Sequence, residues 1–425
     1  MSADPPRSVE AAPAVRGAVF TLGVLTLINL LNFLDRYIVA GVMPYLLRQF
    51  PDVTKAQAGL LGTVFVVVYM VASPAGGYLG DRLQRRHVVA GSVFLWSLAT
   101  VGSGLAWSFV ALLAARAVVG VGEAGYGSVG PAMISDLFPV HRRTRMLAYF
   151  FTALPVGAAL GYVVGDSIGA AYRWQTAFFV GGAPGLLLAF LMLFTPEPAR
   201  GATEGAPVAH ERLPVREGLR RLRPNRVYWA ATAGLTALTF SIGGLGYWMP
   251  TFMETERAMK PGQAGVAFGA VTLVAGLLGT VAGGVLGDRA DRRRRGGGLW
   301  ISGVAMIAAA PIMFLAATAD GLPLIFGLVF VAQVGLFLNT GPINAAIVNA
   351  VPPSYRAFAI GLSNLTLHAL GDAVSPYLIG KVADASSLAR AIQLNALPVV
   401  LGGLAVVWGA RQAQRAAAGA AGATG

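Results

Sequence analysis

Runs of about twenty apolar residues, each closed by a short polar or glycine-rich stretch, recur along this chain about twelve times. They lie near 18–47, 56–79, 88–107, 109–135, 146–168 and 175–195, and again near 227–253, 263–286, 298–318, 322–350, 357–380 and 389–410. A helix needs about 20 apolar residues to cross the hydrocarbon core of a bilayer, so the pattern predicts an all-α membrane protein. Composition agrees, since only 12% of the 425 residues are charged, about half of what a water-facing surface carries. The first run, from Ala18, is too long for the apolar part of a cleavable signal peptide and reads as an uncleaved span. The expected organisation is a cytoplasmic tail over 1–17, a six-helix bundle over 18–195 and a loop over 196–226. A second six-helix bundle over 227–410 and a tail over 411–425 complete it.

Loops on the cytoplasmic side of a membrane collect Lys and Arg. Taking alternate loops and both tails as one side, twenty-three of these residues fall there, seven of them in the 196–226 loop. The other side holds seven: Arg48, Lys55, Arg173, Arg257, Lys260, Lys381 and Arg390. Both termini are therefore expected in the cytoplasm. The net charge of +13 is a topology signal, and no nucleic-acid partner is expected. Cysteine is absent, and no two of His87, His141, His210 and His368 are close enough in sequence for a local metal pair, so no metal site and no cofactor are expected.

The two halves repeat. Gly76-Gly77-Tyr78-Leu79-Gly80-Asp81-Arg82-Leu83-Gln84-Arg85-Arg86 aligns with Gly283-Gly284-Val285-Leu286-Gly287-Asp288-Arg289-Ala290-Asp291-Arg292-Arg293, each copy closing the second span of its half. Gly130-Pro131 and Arg145 echo Gly341-Pro342 and Arg356 at one offset. Duplicated halves around a central path are a plan of secondary transporters. Asp81, Arg82, Arg86, Arg145, Asp288, Arg289 and Arg356 are then expected to gate, through ion pairs that break as the halves rock; the alternative is a solvated turn carrying topology charge.

Ionisable groups within a span are costly and tend to face a cavity. Asp35 and Arg36 follow a long apolar run in the first span, and Arg116 and Glu123 lie seven residues apart in the fourth. Seven residues are about two helical turns, so those two share a face roughly 10 Å apart along the axis. Asp35, Arg116 and Glu123 form the expected proton-responsive set, the alternative being a structural ion pair between spans one and four. Arg36 is the weaker candidate, because adjacent residues diverge by about 100° on a helix. Gly120-Val121-Gly122-Glu123-Ala124-Gly125 matches a dinucleotide fingerprint in letters only, since that motif joins a strand to a helix. Asn364, His368 and Asp372 make a polar stripe in span eleven, either lining the cavity or satisfied between helices. Tyr247 and Trp248 are candidates for the substrate path or an outer gate, and aromatics there also suit an interfacial belt. Pro155-Val156-Gly157 through Gly161 partly matches an antiporter signature.

The Gly-x-Leu-Gly-Asp-Arg-x-x-Arg-Arg loop resembles the signature of the major facilitator superfamily. Asn32-Phe33-Leu34-Asp35-Arg36-Tyr37, Arg116 and Gly122-Glu123-Ala124-x-Tyr126 resemble its Spinster family. The likeness continues through Pro131, Asp136-Leu137-Phe138-Pro139 and Arg143-x-Arg145-Met146-Leu147, departing at Gly125, where the family shows Ser. The resemblance implies a major facilitator fold of 12 transmembrane helices in two six-helix halves. It also implies a monomeric, proton-coupled carrier of amphipathic lipids such as lysophospholipid or sphingosine-1-phosphate, working by alternating access. By motif position Asp35 and Arg116 would form the proton-sensitive pair. Glu123 would lie beside the substrate path. Read from the residues themselves, Arg116, Tyr126, Asn364, His368, Tyr247 and Trp248 are the further candidate substrate contacts. The Ala- and Arg-rich composition points to a bacterial inner membrane. The alternative function is a proton symporter of a small organic anion, with Arg116 on the carboxylate. An intramembrane enzyme would need a nucleophile–base pair or a metal set; the chain has no Cys, no His-Glu-x-x-His and no Ser/His neighbours suited to it, so no catalytic residue is expected.

Overall fold

The computed structural model describes residues 15–197, 215–352 and 355–422, so the expected tail residues 1–14 and 423–425 and the loop residues 198–214 lie outside the described residues. The first half holds α1 (Ala18–Gln49), α2 (Lys55–Arg82), α3 (Arg85–Gly104), α4 (Phe109–Leu137), α5 (Val140–Phe151), α6 (Ala153–Ala171) and α7 (Trp174–Met192). A short α8 (Val215–Leu222) precedes α9 (Arg226–Thr255), α10 (Ala264–Arg293), α11 (Gly297–Thr318), α12 (Leu322–Phe337) and α13 (Thr340–Asn349). The last elements are α14 (Arg356–Leu367), a π turn over His368–Asp372, α15 (Ser375–Ala385), α16 (Leu388–Leu394) and α17 (Ala396–Gly422). In lipid the backbone must satisfy itself within each segment, which is why every long apolar run is helical. Among the described residues, ten helical stretches are long and apolar enough to cross a membrane; the remaining two expected runs correspond to α9 and to the α14–α15 stretch.

Two of the breaks within the second half have a local cause. Asn339 ends α12 by donating from Nδ2 to the carbonyls of Gly335 (2.7 Å) and Leu336 (3.0 Å), and α13 restarts at once. Pro376 lacks the amide that would bond back one turn, so the helix before it opens into the π turn and restarts at Ser375. Side-chain caps fix other starts: Thr54 and Gln57 form a capping box at α2, and Asn225 accepts from the Tyr228 amide at α9. The helix α17 runs on to Gly422, past the boundary expected at 410. The end of the central loop is also helical, with α8 lying on the second half where Gly218 abuts Phe358.

Small residues bring α6 onto α1. A Cβ on Gly161 would stand 2.5 Å from the Leu34 carbonyl oxygen, and one on Gly165 2.6 Å from that of Ile38. Glycines four residues apart let two membrane helices approach at their backbones. This is the packing role of the partial antiporter signature, and it sets the rotation of α1 that aims Asp35 and Arg36.

All hydrogen bonds and ion pairs that join described residues of one half to described residues of the other lie at the end away from the basic loops. The Lys55 and Ala56 amides, at the start of α2, each donate to the Asp384 carboxylate of α15 at 2.8 Å. The mirror arrangement joins α6 to α10: Asp166 accepts from the Gly262 amide (3.0 Å) and the Gly265 amide, and from Tyr45 Oη (2.6 Å). Gly262 has φ +82°, a left-handed conformation suited to glycine, which turns its amide toward Asp166. Arg48 pairs with Glu254, Tyr162 donates to the Gly246 carbonyl (2.8 Å) and Tyr247 to that of Ala58 (2.9 Å).

Candidate functional site

Midway along the first half, α1 and α4 exchange charges in a crossed pattern. Arg116 Nη1 donates to Asp35 Oδ2 at 3.2 Å, and Arg36 donates from Nε (2.8 Å), with its Nη2 at 2.7 Å, to Glu123 Oε2. The 100° between Asp35 and Arg36 sends one toward Arg116 and the other toward Glu123, which the two turns of α4 separate along its axis. An isolated charge there would cost several kcal/mol, and pairing offsets it. The four are not equally accessible. The side chains of Asp35, Arg116 and Glu123 are 2% exposed or less, while that of Arg36 is 23% exposed. Glu123 Oε1 and Arg116 Nε are buried without a hydrogen-bond partner among the described residues, so the quartet retains bonding capacity.

Aromatic rings from α1 and α2 wall this pair. The Arg36 guanidinium lies 5.3 Å from the ring centre of Phe33, 5.0 Å from Phe65 and 5.2 Å from Tyr69, and that of Arg116 lies 4.9 Å from Phe65. Such contacts stabilise a desolvated cation by about 2 kcal/mol or more each. Tyr69 also reaches the other half, meeting the His368 ring edge-on at 6.3 Å. His368 Nδ1 is 3.0 Å from Asp372 Oδ1. One face of each half therefore converges on Arg36 and Tyr69.

The expected residues separate into groups. Asp35 pairs with Arg116, while Glu123 pairs with Arg36, the weaker candidate of the sequence. His368 and Asp372 bond within the π turn and the His368 ring meets Tyr69, while Asn364 is exposed. Tyr126 is not on that face. It is 2% exposed, donates to the Leu25 carbonyl at 3.2 Å and packs on Trp96 and Phe150, inside the first bundle. Tyr247 and Trp248 belong to the closed end: Trp248 Nε1 donates to the Pro376 carbonyl (2.8 Å), and Tyr247 crosses to Ala58.

The expected gating residues form no cross-half pair among the described residues. Asp81, Arg145, Asp288 and Arg289 are exposed, Arg82 lies over Tyr78 of its own helix (4.4 Å) and Arg356 donates to the Val348 carbonyl (3.0 Å). The buried ion pair of that loop is instead Arg85 with Asp136 of α4. Beside it Glu197 accepts from the amides of Arg85 (2.9 Å) and Arg86 (3.0 Å) and caps α3. Sequence reasoning missed Phe65, Tyr69, Asp166 and Asp384. Only Asp166, an acid within an apolar run, carried a visible signal.

Long apolar helices in two halves, a duplicated Gly-Asp-Arg loop and charges paired across spans one and four mark a membrane transporter of the Major Facilitator Superfamily, whose family model matches residues 25–376. Protein spinster of Drosophila melanogaster is 36% identical over 380 residues, which are 87% of this chain and 62% of the fly protein, so the chain spans less than two thirds of that relative. The sphingosine-1-phosphate transporter SPNS2 of Xenopus tropicalis is 33% identical over 419 residues, covering 92% of this chain and 81% of that protein. The chain belongs to the Spinster family. A solved bacterial homolog of the human lysosomal transporter Spinster, inward-facing and unoccupied, superposes with a TM-score of 0.84 at 22% identity. It covers 94% of this chain and 98% of its own, a likeness of fold.

Proposed function

We propose that this protein is a proton-coupled carrier of amphipathic lipids with an anionic headgroup, working as a monomer by alternating access in a bacterial inner membrane. Both termini and the basic loops lie in the cytoplasm, following the arginine distribution. The observation that carries the reading is the Arg36–Glu123 pair: a partly exposed guanidinium held by a buried carboxylate at an aromatic wall that touches both halves. That the frog relative is a sphingosine-1-phosphate transporter supports a lipid phosphate as the ligand.

A proton on Glu123 removes the counter-charge of Arg36, which then favours a phosphate through charge-assisted hydrogen bonds. A proton on Asp35 does the same for Arg116 at lower exposure. Carboxylate and phosphate thus compete for the same guanidinium charge, so that substrate and proton bind together. The hinge is the set of carboxylate-to-amide contacts at the outer end, which must open while the basic end closes.

The test is titration of purified protein with sphingosine-1-phosphate and a lysophospholipid, against short-chain hexuronates, at several pH values. The account expects lipid binding that weakens as pH rises and that Arg36→Ala reduces at least tenfold. Binding of the hexuronates in preference to both lipids would replace this reading with the small-anion symporter.

A further inference from the structure

At the basic end of the second half, α10 and α11 diverge around a cavity of about 510 Å³ that is separate from the charge quartet. Arg289, Arg293 and Arg294 line it from one side, and Trp300 and Ile301 from the other. Two guanidiniums approach the Trp300 ring, that of Arg294 at 5.1 Å and that of Arg411 of α17 at 5.7 Å from its centre. None of these four arginines forms an ion pair among the described residues. The nearby carboxylate of Asp291 is engaged at the start of α11, where it accepts from the Gly298 amide at 2.9 Å. Leu286 also lines the cavity and is exposed, as is Val304 one turn beyond Trp300. In a chain that crosses a bilayer, exposed apolar side chains on outer helices meet acyl chains. Basic residues beside such a surface, with a tryptophan at the headgroup level, match the chemistry of a lipid phosphate.

We propose that this cavity binds the headgroup of an anionic membrane phospholipid, with Arg293 and Arg294 on the phosphate, Trp300 at the interface and the acyl chains along Leu286 and Val304. Topology alone would require the arginines but neither the cavity nor the ring that two of them approach. The site rests on the membrane reading of the chain and is independent of what the carrier transports.

Native mass spectrometry of the full chain tests it, with phosphatidylglycerol and phosphatidylcholine of identical acyl chains as probes. Phosphatidylglycerol should bind selectively, and Arg293→Gln with Arg294→Gln should weaken it about thirtyfold. Arg293→Lys with Arg294→Lys, which keeps the charge, should retain most of the binding and show that the fold is intact. Arg216→Gln with Arg223→Gln, exposed on the same face, should change nothing. Equal retention of the two lipids, or an equal loss in the 216/223 variant, would overturn the assignment. Displacement of the lipid by millimolar inorganic phosphate would assign the cavity to a free anion and overturn it as well.

Discussion

Asp35 and Arg36 are neighbours in the chain, yet each is neutralised by a different residue of α4. The intramembrane charges of spans one and four announced a site, because they had no reason to be buried otherwise. Their partners were not legible, since the pairing depends on where α1 crosses α4 and on the glycine seam with α6 that rotates α1. Tyr126 misled for the same reason: its place near Glu123 in the chain says nothing about which neighbouring helix its ring enters. The two pairs should respond differently to substitution. Arg116→Ala leaves Asp35 buried and unpaired and should cost about 3–5 kcal/mol of stability, read as a fall in Tm. Asp35→Asn with Arg116→Gln should recover part of that loss. Glu123→Gln frees Arg36 permanently, so anionic-lipid binding near neutral pH should tighten several-fold and lose its pH dependence. Unchanged pH dependence in that variant would remove Glu123 from the coupling.

Among elements, the outer closure is made by carboxylates of one half that cap helices of the other, Asp384 on α2 and Asp166 on α10. Carboxylates at helix starts are favoured by free amides and the helix dipole, each by about 0.3–2 kcal/mol. Asp166→Asn combined with Asp384→Asn should therefore shift the population toward an open outer end, measurable as longer spin-label distances between the start of α2 and the end of α15. Distances that stay put would show that packing alone holds that end. These contacts join residues from opposite halves, and no local pattern predicts them. The spans themselves were legible because lipid imposes the same length on each. The interruptions at Asn339 and Pro376 were not, since both residues fall inside runs that are otherwise continuous and apolar.

For the whole molecule, the duplicated loop and the alternation of basic loops made the two-half architecture readable before any contact was known. The closed end was not readable, because the expected gating residues sit at the opposite, basic end and form no cross-half pair among the described residues. The absence of cysteine allows single-cysteine mapping of orientation. Trp107→Cys, at an exposed loop position on the outer side, should react with a membrane-impermeant maleimide in intact cells. Arg295→Cys should react only after permeabilisation; the reverse pattern would invert the topology. The central claim is that lipid movement is driven by protons through the crossed charge quartet. Its most direct measurement is uptake of a labelled lysophospholipid or sphingosine-1-phosphate into proteoliposomes under an imposed pH gradient, comparing the native chain with Asp35→Asn and Glu123→Gln. The account predicts gradient-driven accumulation by the native chain, and only downhill exchange by the two variants. Accumulation in the variants equal to the native level would contradict it.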